Sequence, residues 1–81
     1  MKPAECRRLA TERSNAELAK AAEALSEERD PGFEVVGDDH GDKLTHVLLA
    51  MRIRDRIDAG VDPKDAFREV MSGVREVLSN D

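Results

Sequence analysis

Aromatic side chains are almost absent from this chain of 81 residues, which has no Trp, no Tyr and only Phe33 and Phe67. A domain of this size buries only about 60% of the surface that its unfolded chain exposes. Each large apolar side chain contributes about 2 kcal/mol when buried, whereas ordering the chain costs about 1–2 kcal/mol for every residue. Because small domains with thin cores often gain burial from another chain, we expect this protein to bind itself or another protein.

Long apolar runs are also missing, since no stretch approaches the roughly 18 residues that cross a bilayer. The first eight residues carry charges where a signal peptide has its apolar segment. The single cysteine, Cys6, has no partner for an internal disulfide, which suits a reducing compartment. These features predict a cytoplasmic protein with no membrane partner.

A basic excess is missing too, because the net charge is −5. Residues 1–29 and residues 43–81 each hold equal numbers of acidic and basic side chains. The whole imbalance therefore falls within residues 30–42, here called the acidic segment. Nucleic acids and anionic membranes attract basic surfaces, so this charge argues against both as the main partner. A local acidic segment suits a cation or a basic protein surface.

Helix-forming residues dominate the range 3–29, although its apolar positions do not keep a single phase. Leu9 precedes Leu18 by nine residues, which places the two side chains on opposite sides of one continuous helix. Ser14 and Glu17 have the spacing of a capping box, which begins a helix. We therefore predict either two short helices, with the break near Ser14, or one continuous helix.

Two further helices are predicted at 43–59 and 63–79, after the acidic loop at 30–42. Asp42 is the expected N-cap of the first helix, and Gly60 fits the position that closes it. The short connection makes the two helices antiparallel neighbours. The predicted fold class is all-α: one small helical domain over residues 1–81, with a C-terminal αα-hairpin that dimerisation or a partner completes as a bundle.

The helix at 63–79 has one apolar arc with the spacing of an amphipathic helix. The side chains on this arc are Ala66, Phe67, Val70, Met71, Val74, Val77 and Leu78.

The helix at 43–59 differs because it has two apolar sides. One side holds Leu44, Val47, Leu48 and Met51, and the second holds Leu49, Ala50, Ile53 and Ile57. A helix with two apolar sides needs two apolar neighbours. The helix at 63–79 can cover one side, and the other must meet the N-terminal segment or a second copy of the chain. Because the N-terminal segment offers mostly alanine and only three leucines, we favour a dimer in which another chain covers the second side.

This pattern favours a non-enzymatic helical interaction module, such as an accessory, regulatory or inhibitory protein. It would bind through an apolar helix face, and its acidic loop would contact a basic surface. The predicted partner-binding residues are Leu49, Ile53, Ile57, Asp38 and Asp39. No nucleophile with an adjacent base and no phosphate-binding glycine motif is present, so we predict neither an enzyme nor a resident cofactor.

A divalent-metal site is the first alternative, because several potential ligands fall within nine residues. They are Asp38, Asp39, His40, Asp42 and His46. Carboxylates suit hard cations, and His with carboxylate suits Zn²⁺, Mn²⁺ or Fe²⁺. The spacing, however, is not that of a calcium-binding loop.

A helix-turn-helix that binds DNA is the second alternative, with residues 43–80 as the two helices. The presumed recognition helix begins with Asp62 and has Asp65 in its first turn. Base-reading helices present Arg, Lys, Asn or Gln at these positions. This charge pattern argues against DNA binding.

Overall fold

The computed structural model describes the backbone of residues 2–79 and the side chains of residues 2–73. Within these residues the chain forms four α-helices and no strand, which confirms the all-α class. The helices are α1 (Pro3–Glu12), α2 (Asn15–Ser26), α3 (His40–Asp58) and α4 (Pro63–Ser79). The central helix is α3, which packs against each of the other three.

The break between α1 and α2 is the predicted capping box. The Ser14 hydroxyl accepts from the Glu17 N–H (3.2 Å), and the Glu17 carboxylate accepts from the Ser14 N–H (3.1 Å). The break changes the helix direction, so that Leu9 and Leu18 are both fully buried although one straight helix would separate them. The two-helix alternative is therefore correct.

The end of α2 comes earlier than predicted, at Ser26 instead of near residue 29. Glu28 has a left-handed backbone with φ 59°, and the N–H of Arg29 donates back to the Ala24 carbonyl (2.8 Å). This pattern is a Schellman motif, which uses the free carbonyls of the last turn. The motif ends the helix before Pro31 has any effect.

The start of α3 was predicted three residues too late, and with the wrong cap. Asp39 is the N-cap, and its carboxylate accepts from the Asp42 N–H (2.8 Å). Asp42 lies in the first turn, where its carboxylate accepts from the Asp38 N–H (3.2 Å) and interacts favourably with the helix dipole. Both aspartates have cap chemistry, so the identity of the side chain alone did not distinguish them.

The turn between α3 and α4 has the predicted form, although α3 ends at Asp58 and Ala59 is its C-cap. Gly60 has φ 100°, a left-handed conformation that a residue with Cβ adopts only with strain. The N–H of Val61 donates to the Arg56 carbonyl (3.0 Å), which completes a second Schellman motif.

The second apolar side of α3 is covered within the chain, so the prediction that it needs another chain is wrong. Both α1 and α2 pack against α3. Their alanines, such as Ala10 and Ala21, are fully buried and allow the helices to approach closely, while their leucines fill the space between them. The core consists of Cys6, Leu9, Ala10, Leu18, Ala21, Leu25, Val35, Val47, Leu49, Ala50, Ile53, Ala66 and Met71.

The apolar arc of α4 lies against this core over the part whose side chains are described. Ala66 and Met71 are buried, and Phe67 and Val70 are half-buried. Val74, Val77 and Leu78, which belong to the same predicted arc, lie outside the described side chains. Among the described residues, none of the helices combines the length and the apolar character that a membrane span requires.

Candidate functional site

An open groove of about 520 Å³ runs along the outward side of α3. It is lined by Thr45, Leu48, Leu49, Met51, Arg52 and Asp55, and it is called the Leu48 groove below. Leu48 is 48% exposed and is the one large apolar side chain that is exposed among residues 2–73. The lining of the groove therefore combines apolar and charged side chains.

All residues that line the Leu48 groove belong to α3, and contacts with two neighbouring helices lie on either side of this face. On one border the amide of Asn15, at the start of α2, donates to the Asp55 carboxylate (2.5 Å). On the other border Arg56 of α3 donates to Glu69 of α4 (3.1 Å). These contacts fix the two borders and leave the strip of α3 between them open to solvent.

The predicted partner-binding residues of α3 lie deeper than an exposed docking face requires. Ile53 is fully buried, Leu49 is 9% exposed at the floor of the groove, and Ile57 is half-buried. The exposed leucine is Leu48, on the side that was predicted to be covered. Its charged neighbour at i+4, Arg52, was the sequence signal for this, because charged side chains mark the solvent face of a helix.

The exposed carboxylates of the acidic segment do not converge on one site. Asp38 and Asp39 are both exposed, but Asp39 caps α3. The N–H of Asp38 donates to Asp42 and, as the largest influence, holds the pKa of that carboxyl below its usual value. These carboxylates therefore stabilise the helix start through backbone contacts.

His46 is a buried junction between three parts of the chain. Its Nδ1 lies 2.7 Å from the carbonyl oxygen of Val36, which only accepts, so Nδ1 carries a proton and donates. Its Nε2 accepts from the backbone N–H of Lys2 (2.8 Å). A neutral ring with its proton on Nδ1 satisfies both contacts, and it joins the N-terminus and the acidic segment to α3.

These two contacts of His46 matter for the alternative prediction of a divalent-metal site, which counts His46 among its ligands. Both ring nitrogens are engaged with the backbone, and Asp42 Oδ1 is 3.9 Å from Nε2. His40 is exposed at the first position of α3. Among the described residues, no group of three or more His, Cys, Asp or Glu is arranged to hold a metal ion.

A second buried polar contact, which sequence reasoning missed, is centred on Glu5. Its carboxylate accepts from Arg8 at 2.7 Å and 2.6 Å, and from the N–H of Val36 at 2.8 Å. Burial alone raises the pKa of Glu5, but the Arg8 and Val36 hydrogen bonds outweigh it and hold the pKa below its usual value. The sequence shows the Glu5–Arg8 spacing of i, i+3, but not the third partner.

Further contacts hold the same part of the acidic segment over the helices. Arg8 also donates to the carbonyl of Glu34 (3.1 Å), and the Arg13 guanidinium lies 4.4 Å from the centre of the Phe33 ring. Val35 is buried, while Phe33 is half-buried. The acidic segment is thus a strap across the bundle.

Cys6 is not a reactive thiol in this environment. The side chain is fully buried in the core, and burial raises its pKa to about 11. A thiol with such a pKa is almost entirely protonated at neutral pH, whereas the thiolate is the reactive form.

Two of the three arginines of α3 pair with carboxylates, which weakens any basic surface for DNA. Arg54 donates to Asp58 (2.9 Å) and to the Ala10 carbonyl (3.3 Å), and Arg56 donates to Glu69. Their charges are therefore compensated by neighbouring carboxylates. Lys64, in the first turn of α4, is next to Asp65.

Comparison with known proteins gives one match for this chain. No curated protein and no solved structure has detectable similarity to the chain. A family model matches residues 1–79, which is nearly the whole sequence. The chain therefore belongs to DUF6952, a family of unknown function.

Proposed function

We propose that this protein is a non-enzymatic helical interaction module that binds another protein chain in the Leu48 groove. The observation that carries the proposal is the exposure of Leu48 on the outward side of the central helix. Complete burial of a leucine side chain contributes about 1.5–3 kcal/mol. Since Leu48 is 48% exposed, about half of that contribution is still available to a bound partner.

The composition of the Leu48 groove supports this function. Leu48, Leu49 and Met51 supply apolar side chains to its lining, while Arg52 and Asp55 supply charged ones. Protein interfaces commonly combine apolar contacts with polar and charged ones. An unbranched methionine also adapts its shape to different partners. A helix is the natural occupant, because a groove along one helix accepts another lengthwise.

In this role the protein serves as an accessory subunit, a regulator or an inhibitor of its partner. The exposed Asp38 and Asp39 are secondary candidate contacts, which suit a basic surface beside the groove. The lone buried Cys6 suits a reducing compartment, and we propose that the module acts in the cytoplasm.

Photocrosslinking in the native cell tests the proposed function. A photoreactive amino acid replaces Leu48 in one variant and Ala16, which is exposed on α2, in the matched control. We expect irradiation to give a covalent adduct of discrete mass from position 48 and none from position 16, because only position 48 lies in the groove. Mass spectrometry identifies the attached chain and the attached residue.

Two outcomes would contradict this function. One is the absence of any adduct from position 48, and the other is the same set of adducts from positions 48 and 16. Circular dichroism of each purified variant shows that the helices are intact, so that a missing adduct is not caused by unfolding.

A further inference from the structure

A regular strip of four residues follows the outward side of α3. Leu48, Arg52, Asp55 and Ala59 are separated by four, three and four residues, and all four are exposed. At about 100° per residue they fall within an arc of about 60°. The alternation of four and three residues is that of a coiled-coil seam, which keeps one line of side chains facing a second helix.

All of this seam lies on a face of the chain that is exposed to solvent. Asn15 of α2 contacts Asp55 on one border, and Glu69 of α4 contacts Arg56 on the other. The seam lies between these two contacts, and its first three residues line the Leu48 groove.

The residues of the seam are complementary to those of a second copy that runs in the opposite direction. When two copies of α3 lie antiparallel about a two-fold axis, Leu48 faces Ala59 of the second copy. In the same register Arg52 faces Asp55 of the second copy, and the symmetry repeats both contacts. Each large apolar side chain thus meets a small one, and each charge meets its opposite. A parallel two-fold pair would instead place Arg52 against Arg52.

We infer from this complementarity that a second copy of the chain occupies the Leu48 groove, with the two α3 helices antiparallel. The inference rests on the proposed function and names the partner. Arg52 makes no ion pair with any residue of the described part of the chain, so its charge is available to the second copy. Asp55 uses one carboxylate oxygen for Asn15 and has the other for the new contact.

The size of this interface sets the expected affinity. The seam extends about 17 Å along the helix, since each residue advances about 1.5 Å. A contact of this length buries less surface than a standard protein interface, which buries about 1,200–2,000 Å² in total. We therefore expect a weak, reversible dimer that forms at high protein concentration.

Charge reversal at the seam tests the inference by sedimentation over a wide range of protein concentration. Arg52→Asp and Asp55→Arg each place like charges opposite one another, so each variant alone is expected to dimerise at least roughly tenfold more weakly. An equimolar mixture of the two variants is expected to form heterodimers, because each ion pair is then restored. The double variant R52D/D55R is expected to form homodimers again.

Several results would overturn the inference. A wild-type chain that stays monomeric at the highest concentration excludes the dimer, and a dimer that neither reversal weakens excludes this register. Weakening by both reversals without recovery in the mixture also excludes it. Adducts from position 48 to an unrelated protein, together with a monomeric chain, would overturn this inference but would support the proposed function.

Discussion

Replacing Ile53 with alanine is expected to lower the free energy of unfolding by about 2–5 kcal/mol. Ile53 is fully buried in the core that α1 and α2 form with α3, so truncation removes apolar contacts and leaves a cavity. Domains of this size are marginally stable, and a loss at the upper end of this range would unfold much of the protein at room temperature. Urea denaturation followed by circular dichroism measures the change.

The matched control for this experiment is Leu48→Ala on the same helix. Because Leu48 is 48% exposed, its truncation is expected to cost less than about 1 kcal/mol in the monomer. Measurements are made at low protein concentration, where self-association does not contribute. Equal losses for the two variants would contradict the conclusion that Ile53 lies inside the chain and Leu48 outside it.

Replacing Glu5 with glutamine is expected to lower the free energy of unfolding by about 1.5–3 kcal/mol, the range for hydrogen bonds to charged groups. The carboxylate is 6% exposed and links Arg8 of α1 to the Val36 N–H of the acidic segment. The neutral amide loses the ion pair and has only one oxygen to accept with. The strap formed by the acidic segment then detaches more readily from α1.

Glu12→Gln is the control for this substitution, because Glu12 pairs with the same Arg8 (3.2 Å) but is 54% exposed. Exposed pairs at i, i+4 contribute at most about 0.5 kcal/mol. If Glu5→Gln lowered the free energy of unfolding as little as Glu12→Gln, the buried contact of Glu5 would add no stability beyond that of an exposed ion pair. Hydrogen exchange at the Val36 amide gives a local measure, since this N–H is protected only while the carboxylate accepts from it.

The pH dependence of stability provides a separate prediction for Glu5. Its pKa is lower in the folded chain than its ordinary value of 4.5, because the hydrogen bonds from Arg8 and Val36 outweigh burial. The ionised carboxylate therefore stabilises the fold fully above that ordinary value, and the stabilisation is lost as the pH falls towards the folded pKa. The difference in unfolding free energy between wild type and Glu5→Gln is expected to shrink over this acidic range. A constant difference would contradict the assignment.

Local rules of the sequence were sufficient for the helices and most of their ends. The capping box at Ser14 and the left-handed Gly60 depend on residues within four positions of one another, so the sequence alone shows them. Dependence on local residues also explains why the wrong N-cap was predicted for α3. Asp39 and Asp42 both have cap chemistry, and only the folded backbone shows that Asp39 has the extended conformation of a cap.

The candidate site was predicted only in part. The sequence identified α3 as the helix with too many apolar sides for a simple hairpin, and this helix carries the Leu48 groove. It did not identify which side is exposed, because that depends on where α1 and α2 pack. Three leucines and several alanines were judged too little to cover Ile53, but small side chains allow close helix contact and so bury it completely.

The sequence by itself determined the all-α class, the hairpin turn at Gly60 and the charge pattern along the chain, because each depends on neighbouring residues. The seam of Leu48, Arg52, Asp55 and Ala59 was likewise present in the sequence as a spacing. Only the tertiary structure decided that this seam faces solvent while Ile53 faces the core. The choice between two apolar sides of one helix is made by contacts with residues as many as 44 positions away, such as the one between Arg54 and Ala10.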